Sequence, residues 1–366
     1  MLEKGICAFA GLGYSPEQNS RYLRLARECG FTRLFTSLQI PEAKVGNLEE
    51  EFRLLVAEAA RLGFQTTADI SPATFNLLEV DLSRPEQLHT LGLQALRLDF
   101  GFSPAEIARL SKESGLELDL NASTISEDVL EAIMGAGADS TRLRACHNYY
   151  PRPETGLSYE FFAERTQICH THGIRVSAFI PSRANPRGPI YAGLPTLEAH
   201  RHWEPLQAAK QLAAEGLEGI LFGDPLATAE ELTEVGRVDS SLIEIQVKTK
   251  PGLTENERKI LFAPRHTNRP DPGERVARSQ EARGLCREEI PAHLQGSRPR
   301  GSVTLDNSGY RRYMGELQVV MKDLPADPRV NVVAKVIPEE MFLLDALKPG
   351  RAFCFKEKTE KRVDKG

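Results

Sequence analysis

The sequence contains no run approaching about 20 consecutive apolar residues, so no transmembrane helix is expected. It has no C-x-x-C pair. Its six cysteines, at positions 7, 29, 146, 169, 286 and 354, are scattered, several of them inside apolar runs. That is the pattern of buried free thiols and not of a disulfide framework. Positive charge is not in excess: 46 Lys and Arg against 51 Asp and Glu leave a net charge of −5. An acidic balance argues against a nucleic-acid or anionic-membrane partner, both of which are met with positive surfaces. The start, Met-Leu-Glu-Lys-Gly, runs straight into Ile6–Ala10 without the basic leader and longer apolar region of a signal peptide, and a cytoplasmic location is expected.

Common catalytic signatures are missing too. No G-x-S-x-G, H-E-x-x-H or G-x-x-x-x-G-K occurs. Gly11-Leu12-Gly13 resembles the start of a dinucleotide fingerprint, but Pro16 replaces the third glycine and the next strand ends Phe35-Thr36-Ser37 with no ribose-binding acid. His170 with His172, and His200 with His202, are spaced by two on helical stretches, which puts the rings on different faces. No metal site and no cofactor are expected.

What remains is ordinary globular composition, 41% hydrophobic and 27% charged over 366 residues, enough for two domains. One unit recurs through the first 225 residues: an amphipathic helix, a glycine, then a short apolar strand. The glycines are Gly30, Gly63, Gly92, Gly115, Gly137, Gly173 and Gly216. Each is placed to end its helix in the left-handed conformation that a Cβ disfavours. The strands that follow are Arg33–Ser37, Gln65–Ile70, Ala95–Phe100, Glu117–Asn121, Thr141–His147, Arg175–Ile180 and Gly219–Asp224, after a first strand at Gly5–Ala10. Ser15-Pro16 and the capping box Ser103-Pro104-Ala105-Glu106 mark helix starts. Near-continuous apolar strands are those of a buried parallel sheet. Eight such units predict an α/β fold, a (β/α)8 TIM barrel over residues 1–240, with an open doubly wound sheet as the alternative. From about residue 240 the rhythm changes. Ser241–Lys248 alternates, and Ile260–Ala263, Ser302–Leu305, Glu316–Met321, Val330–Ile337 and Ala352–Lys356 are strand-like between Pro-Gly and Asp-Asn punctuation. A smaller, mainly β domain is expected over 241–366.

In a (β/α)8 barrel the active site lies at the C-terminal ends of the strands. The polar residues there are Thr36, Ser37, Asp69, Asp99, Asn121, His147, Asn148 and Asp224, and the loops add Glu42 and Glu154. Carboxylates converging on one mouth suit glycoside hydrolysis, with one carboxyl protonated and another ionised. Any single one is as well explained by helix capping or ion pairing; the set favours catalysis. Asp69, Asp99 and Glu154 are the catalytic candidates. Glu154, on a loop that can adjust to a leaving sugar, is preferred as the acid. The loop after strand seven, Pro181–Gly193, brings Arg183 and Arg187 to a position where barrels of this type bind phosphate, with Gly223 after strand eight as a source of backbone N–H groups. The competing account is a Pro-Gly turn with solvated arginines. Segment 265–312 carries ten arginines, no lysines and six acids, a balance best read as surface ion pairing.

The run His147-Asn148-Tyr149-Tyr150-Pro151-Arg152-Pro153-Glu154-Thr155-Gly156-Leu157-Ser158 resembles the signature of the 6-phospho-N-acetylmuramidase family of glycoside hydrolases. So do Phe35-Thr36-Ser37-Leu38 with Ile40-Pro41-Glu42, Asp69-Ile70-Ser71-Pro72, Leu96–Phe102, Leu120–Thr124, Arg187-Gly188-Pro189 with Gly193–Glu198, and Asp306-Asn307 with Tyr310, Arg312-Tyr313 and Gly315–Gln318. The resemblance implies a barrel followed by a cyclophilin-like β domain. It also implies hydrolysis of the β-1,4 bond of N-acetylmuramic acid 6-phosphate–N-acetylglucosamine, a cytoplasmic step of peptidoglycan recycling. The expected partner is then a phosphorylated amino-sugar disaccharide. Thr36, Glu42, Asn121, His147, Asn148, Arg183, Arg187, Gly223, Asp224, Asp306, Asn307 and Tyr313 are its candidate binding residues. Two other classes compete: a sugar-phosphate isomerase or aldolase on the same barrel, and a non-catalytic surface or binding protein.

Overall fold

The computed structural model describes residues 2–38, 40, 48–70, 84 and 92–358. The chain divides into two compact units, Met1–Val238 and Asp239–Gly366. In the first, eight strands run parallel and close on themselves: β1 (Glu3–Cys7), β2 (Arg33–Ser37), β3 (Gln65–Ile70), β4 (Ala95–Leu98), β5 (Glu117–Asn121), β6 (Leu143–Cys146), β7 (Arg175–Ile180) and β8 (Gly219–Phe222), with β8 pairing back onto β1. This is a (β/α)8 barrel and not the open sheet. The described helices of its outer layer are α1 (Pro16–Glu28), α2 (Leu48–Arg61), α3 (Pro104–Glu113), α4 (Glu127–Gly135), α5 (Tyr159–Thr171), α6 (Pro205–Ala214) and α7 (Ala229–Gly236).

The local causes are those of the repeating unit. All seven helix-ending glycines have positive φ, from 69 to 89°. Ser15 and Ser103 cap α1 and α3 through complete capping boxes, with proline in the first turn. Strand alternation then sends Leu34, Leu96, Leu118, Ala145, Val176 and Ile220 outward into one core with Leu23, Phe52, Leu110, Phe162 and Leu212 of the helices. The opposite set points into the barrel. At its N-terminal end Arg33 bonds Glu3 at 3.0 Å and Glu117 at 2.9 Å, and Arg144 and Arg175 join the same two glutamates. At the other end Cys7, Phe9, Phe35, Ile40, Cys146, Phe179 and Leu221 form a second apolar cluster, a floor for the mouth.

The second unit is a seven-stranded mixed sheet. Its strands are β9 (Ile243–Thr249), β10 (His266–Thr267), β11 (Val276–Arg278), β12 (Ser302–Asp306), β13 (Leu317–Val320), β14 (Val330–Val336) and β15 (Ala352–Glu357), in the order β10-β15-β9-β14-β12-β13-β11. Only the β9–β15 pair is parallel among the described pairings. One sequence expectation is overturned. Ile260 and Leu261, read as the start of a strand, end the helix α8 (Glu255–Leu261). Thr254 accepts from the Glu257 N–H and Glu257 returns to the Thr254 N–H, so a capping box fixes helix where the short apolar run alone suggested strand.

Candidate active site

The mouth of the barrel holds a cavity of 220 Å³ lined by Phe35, Asp69, Arg97, Asp99, Asn148, Tyr149 and Phe179. Asp69, at the end of β3, accepts from Ser37 Oγ at 3.2 Å. Burial pushes its carboxyl up to about 6; the Arg97 guanidinium opposes that shift and Asp99 adds to it. Asp99 accepts from Asn121 Nδ2 at 2.6 Å. Arg97 is buried and donates to Cys146 O at 2.8 Å and to Asn148 Oδ1 at 2.5 Å. These bonds hold its guanidinium toward the sixth strand, within electrostatic reach of Asp69 and Asp99.

Beside this group lies Arg187. Its guanidinium sits 5.0 Å from the centroid of the Phe9 ring and 5.4 Å from that of Tyr149, and Nη1 reaches the Tyr149 hydroxyl at 3.4 Å. The residue is buried, yet its Nε makes no hydrogen bond among the described residues. A buried guanidinium with a spare donor is a ready anion binder. Asp224 shapes the loop that carries it: its carboxylate accepts the N–H groups of Arg187 at 2.8 Å, Ser182 at 2.9 Å and Leu194 at 3.0 Å. Burial nevertheless leaves the Asp224 carboxyl above its ordinary range, against the pull of those three bonds.

Thus Asp69, Asp99, Asn148, Asn121 and Arg187 are brought together or into direct contact with the group. Other expected residues are placed differently. Glu154 is exposed, with φ 69°, in a loop whose backbone is held by Glu198; its carboxylate is not among the groups lining the cavity. His147 points away from the mouth: Nδ1 meets Ser123 Oγ at 3.2 Å, Nε2 meets Thr166 Oγ1 of α5 at 3.0 Å, and the ring packs on Phe162. Burial pushes its pKa down to about 3, so it is a neutral core residue. Thr36 alternates with the inward Phe35 and Ser37 and is fully buried. The Gly223 N–H is spent on Ile180 O at 2.9 Å, and the glycine itself is needed because a Cβ there would lie 2.3 Å from Leu194 O. Arg183 is exposed and donates to Arg201 O at 3.3 Å. Asp224 is wholly occupied by backbone. Glu42 lies outside the described residues.

Asp306, Asn307 and Tyr313 belong to the second unit. Asp306 ends β12, and burial, with Glu316 and Asp327 nearby, pushes its carboxyl up to about 7. Asn307 is consumed by a turn, donating to Pro328 O and Asn331 Oδ1 at 3.0 Å each and accepting from the Gly309 N–H. The Tyr313 hydroxyl accepts from Arg312 at 2.7 Å, and the ring is partly exposed.

Sequence reasoning gave no site role to Arg97, Tyr149, Glu198 or Arg201, although the first three stand in the runs that carry the family resemblance. An arginine between two leucines in a barrel strand, Leu96-Arg97-Leu98, was a usable signal, since alternation turns it inward. Arg201 had none: its neighbours are polar and it is nevertheless almost completely buried. Among the described residues no three His, Cys, Asp or Glu side chains are grouped as a metal ion would require, and no helix is long and apolar enough to cross a membrane.

A parallel eight-stranded barrel whose mouth gathers two neighbouring carboxylates, a buried arginine on β4 and a second on the loop after β7 has groups of the kind that acid–base chemistry and anion binding require. The chain belongs to the 6-phospho-N-acetylmuramidase family: models described as 6-phospho-N-acetylmuramidase, N-terminal, and 6-phospho-N-acetylmuramidase, C-terminal, match residues 4–237 and 243–356. An uncharacterized B. cereus protein of known structure is 31% identical, with a TM-score of 0.86 over 98% of this chain and 100% of that one. A conserved Enterococcus faecalis protein with an unknown function is 33% identical, with a TM-score of 0.70 over 97% and 96%. No curated protein matches the chain.

Proposed function

We propose that this chain hydrolyses the β-1,4 bond of N-acetylmuramic acid 6-phosphate–N-acetylglucosamine, in the cytoplasm, as a step of peptidoglycan recycling. The observation that carries the reading is the pairing of unlike carboxyl environments at one mouth. Burial raises the Asp69 carboxyl to about 6, whereas Asp99 receives a hydrogen bond from Asn121. Two such groups divide into acid and anion. Asp69 gives its proton to the oxygen of the leaving sugar as the C1–O bond breaks. Asp99 faces the positive charge that develops on the ring, whether the incoming nucleophile is water or the substrate's own acetamido oxygen. Water then supplies hydroxide to C1 and its other proton returns to Asp69. Arg187 takes the 6-phosphate. Family membership supports the substrate class.

The test compares the disaccharide phosphate with an aryl glycoside whose leaving group needs little protonation. Asp69→Asn should slow the disaccharide by about 10²-fold or more and spare the aryl substrate. Asp99→Asn should slow both. Glu154→Gln should leave both near the parent rate. A selective loss of the disaccharide in Glu154→Gln, with Asp69→Asn slowing both alike, would move the acid to the loop.

A further inference from the structure

Asp119 lies inside the barrel, below the mouth, and is not used by the mechanism above. It is buried, and its Oδ1 makes no hydrogen bond among the described residues. Its place in the sheet is informative. Ser37 is the register partner of Asp69, Asp69 of Arg97, Arg97 of Asp119, and Asp119 of Arg144. Register partners on neighbouring strands present side chains to the same face. A line of alternating charge therefore crosses four strands, from Asp69 at the mouth cavity to Arg144 in the ion cluster at the N-terminal end. Arg97 is the only cation on that line between two acids, and it is fixed by its bonds to Cys146 O and Asn148.

We propose that Asp119 is a positioning residue for the reaction: it draws on the charge of Arg97 from below and so keeps Asp69 able to hold a proton at the mouth. The proposal rests on the reading of Asp69 as the acid. Its physical basis is that one guanidinium cannot neutralise two carboxylates in a site of low dielectric, so each raises the proton affinity of the other. Burial pushes Asp119 up to about 6, as it does Asp69, with Arg97 as the largest opposing influence on both. Among the described residues, the remaining titratable groups around Asp119 are Arg33 from β2, Glu3 from β1, Arg144 and Cys146 from β6, Cys169 from α5, and Glu117 from its own strand. Arg33 and Arg144 are bonded to Glu3 and Glu117, so Arg33 acts on Asp119 less than Arg97 does, and Arg97 is the cation that acts on both Asp119 and Asp69. Among the described residues, Asp69 is faced in turn by Ser37, Arg97, Asp99 and Tyr149.

Carbon-13 NMR of the full-length protein with carboxyl-labelled aspartate reads this directly, with Asp69→Asn assigning the signal. In the unaltered protein the Asp69 and Asp119 carboxyls should each titrate in two steps with shared inflections. Asp119→Asn should lower the Asp69 midpoint by about one unit, and Asp119→Glu should restore it. The alkaline limb of kcat should move down with it, a loss of about tenfold above that limb, with KM little changed. Independent single-step titrations, or an Asp69 midpoint that Asp119→Asn leaves in place, would overturn the proposal; the first readout needs no variant at position 119. A midpoint that moves while the kcat limb stays fixed would uphold the link between the two carboxyls and sink Asp69 as the acid.

Discussion

The guanidinium of Arg201 makes two 2.6 Å bonds to the carboxylate of Glu198, through Nε and Nη2, and spends its remaining donors on four backbone carbonyls. Those carbonyls, of Tyr150, Arg152, Ala192 and Gly193, belong to the loops after β6 and β7. Glu198 in turn accepts the N–H groups of Glu154 and Gly156. One ion pair thus ties together the two loops that carry Tyr149 and Arg187.

Breaking that tie should be costly. Arg201→Ala removes a buried partner and strands four carbonyls and a carboxylate, so a loss of about 3 kcal/mol or more is expected in denaturant unfolding. The Arg201 bonds hold the Glu198 carboxyl down to about 2. A depressed carboxyl pKa stabilises the fold above the unfolded value near 4.5 and loses that contribution as pH falls toward 2. Glu198→Gln should therefore lower the thermal midpoint at pH 7 and have a much smaller effect at pH 2.

Arg187 should discriminate by phosphate. Arg187→Ala is expected to reduce kcat/KM on the 6-phosphorylated substrate by roughly 10- to 100-fold, the equivalent of a charged hydrogen bond worth about 1.5–3 kcal/mol. An unphosphorylated analogue should lose far less. Equal losses on both would show that Arg187 supports the floor of Phe9 and Tyr149 and not the phosphate.

Asp306 offers a stability test confined to the second unit. Its folded pKa, about 7, lies above the unfolded value near 3.8. The native state then binds the proton more tightly, so the contribution is fully present below about pH 4 and is lost as pH rises through 7. Asp306→Asn should raise the thermal midpoint at pH 8 relative to the parent and leave it almost unchanged at pH 4. A parent whose stability does not fall between pH 4 and 7 would count against this.

The barrel was readable because its signals are local. Gly30, Gly115 and Gly216 end helices for a reason that belongs to one residue, and Ser15 and Ser103 start them for another. Asp69 and Asp99 could be placed at the mouth because a strand end always has the same geometric meaning in this fold. Side-chain direction at those ends was not readable. His147 and Asn148 are neighbours, yet one turns to Thr166 of α5 and the other to Arg97. Likewise a glycine at position 223 fitted a phosphate loop equally well as a close backbone crossing, and only the 2.3 Å that a Cβ would leave to Leu194 O decides for the crossing.

By itself, then, the sequence determined the repeating unit, the eight parallel strands and the change to a β-rich second part, since each follows from period, capping and composition within a few residues. Only the tertiary structure decided that Arg97 stands between Asp69 and Asp119, that the Arg187 guanidinium lies over the Phe9 ring, and that Arg201 is buried on Glu198. Those facts depend on register between strands and on which loop covers which side chain, and the energies involved come from desolvation and pairing across the fold, which no local pattern encodes.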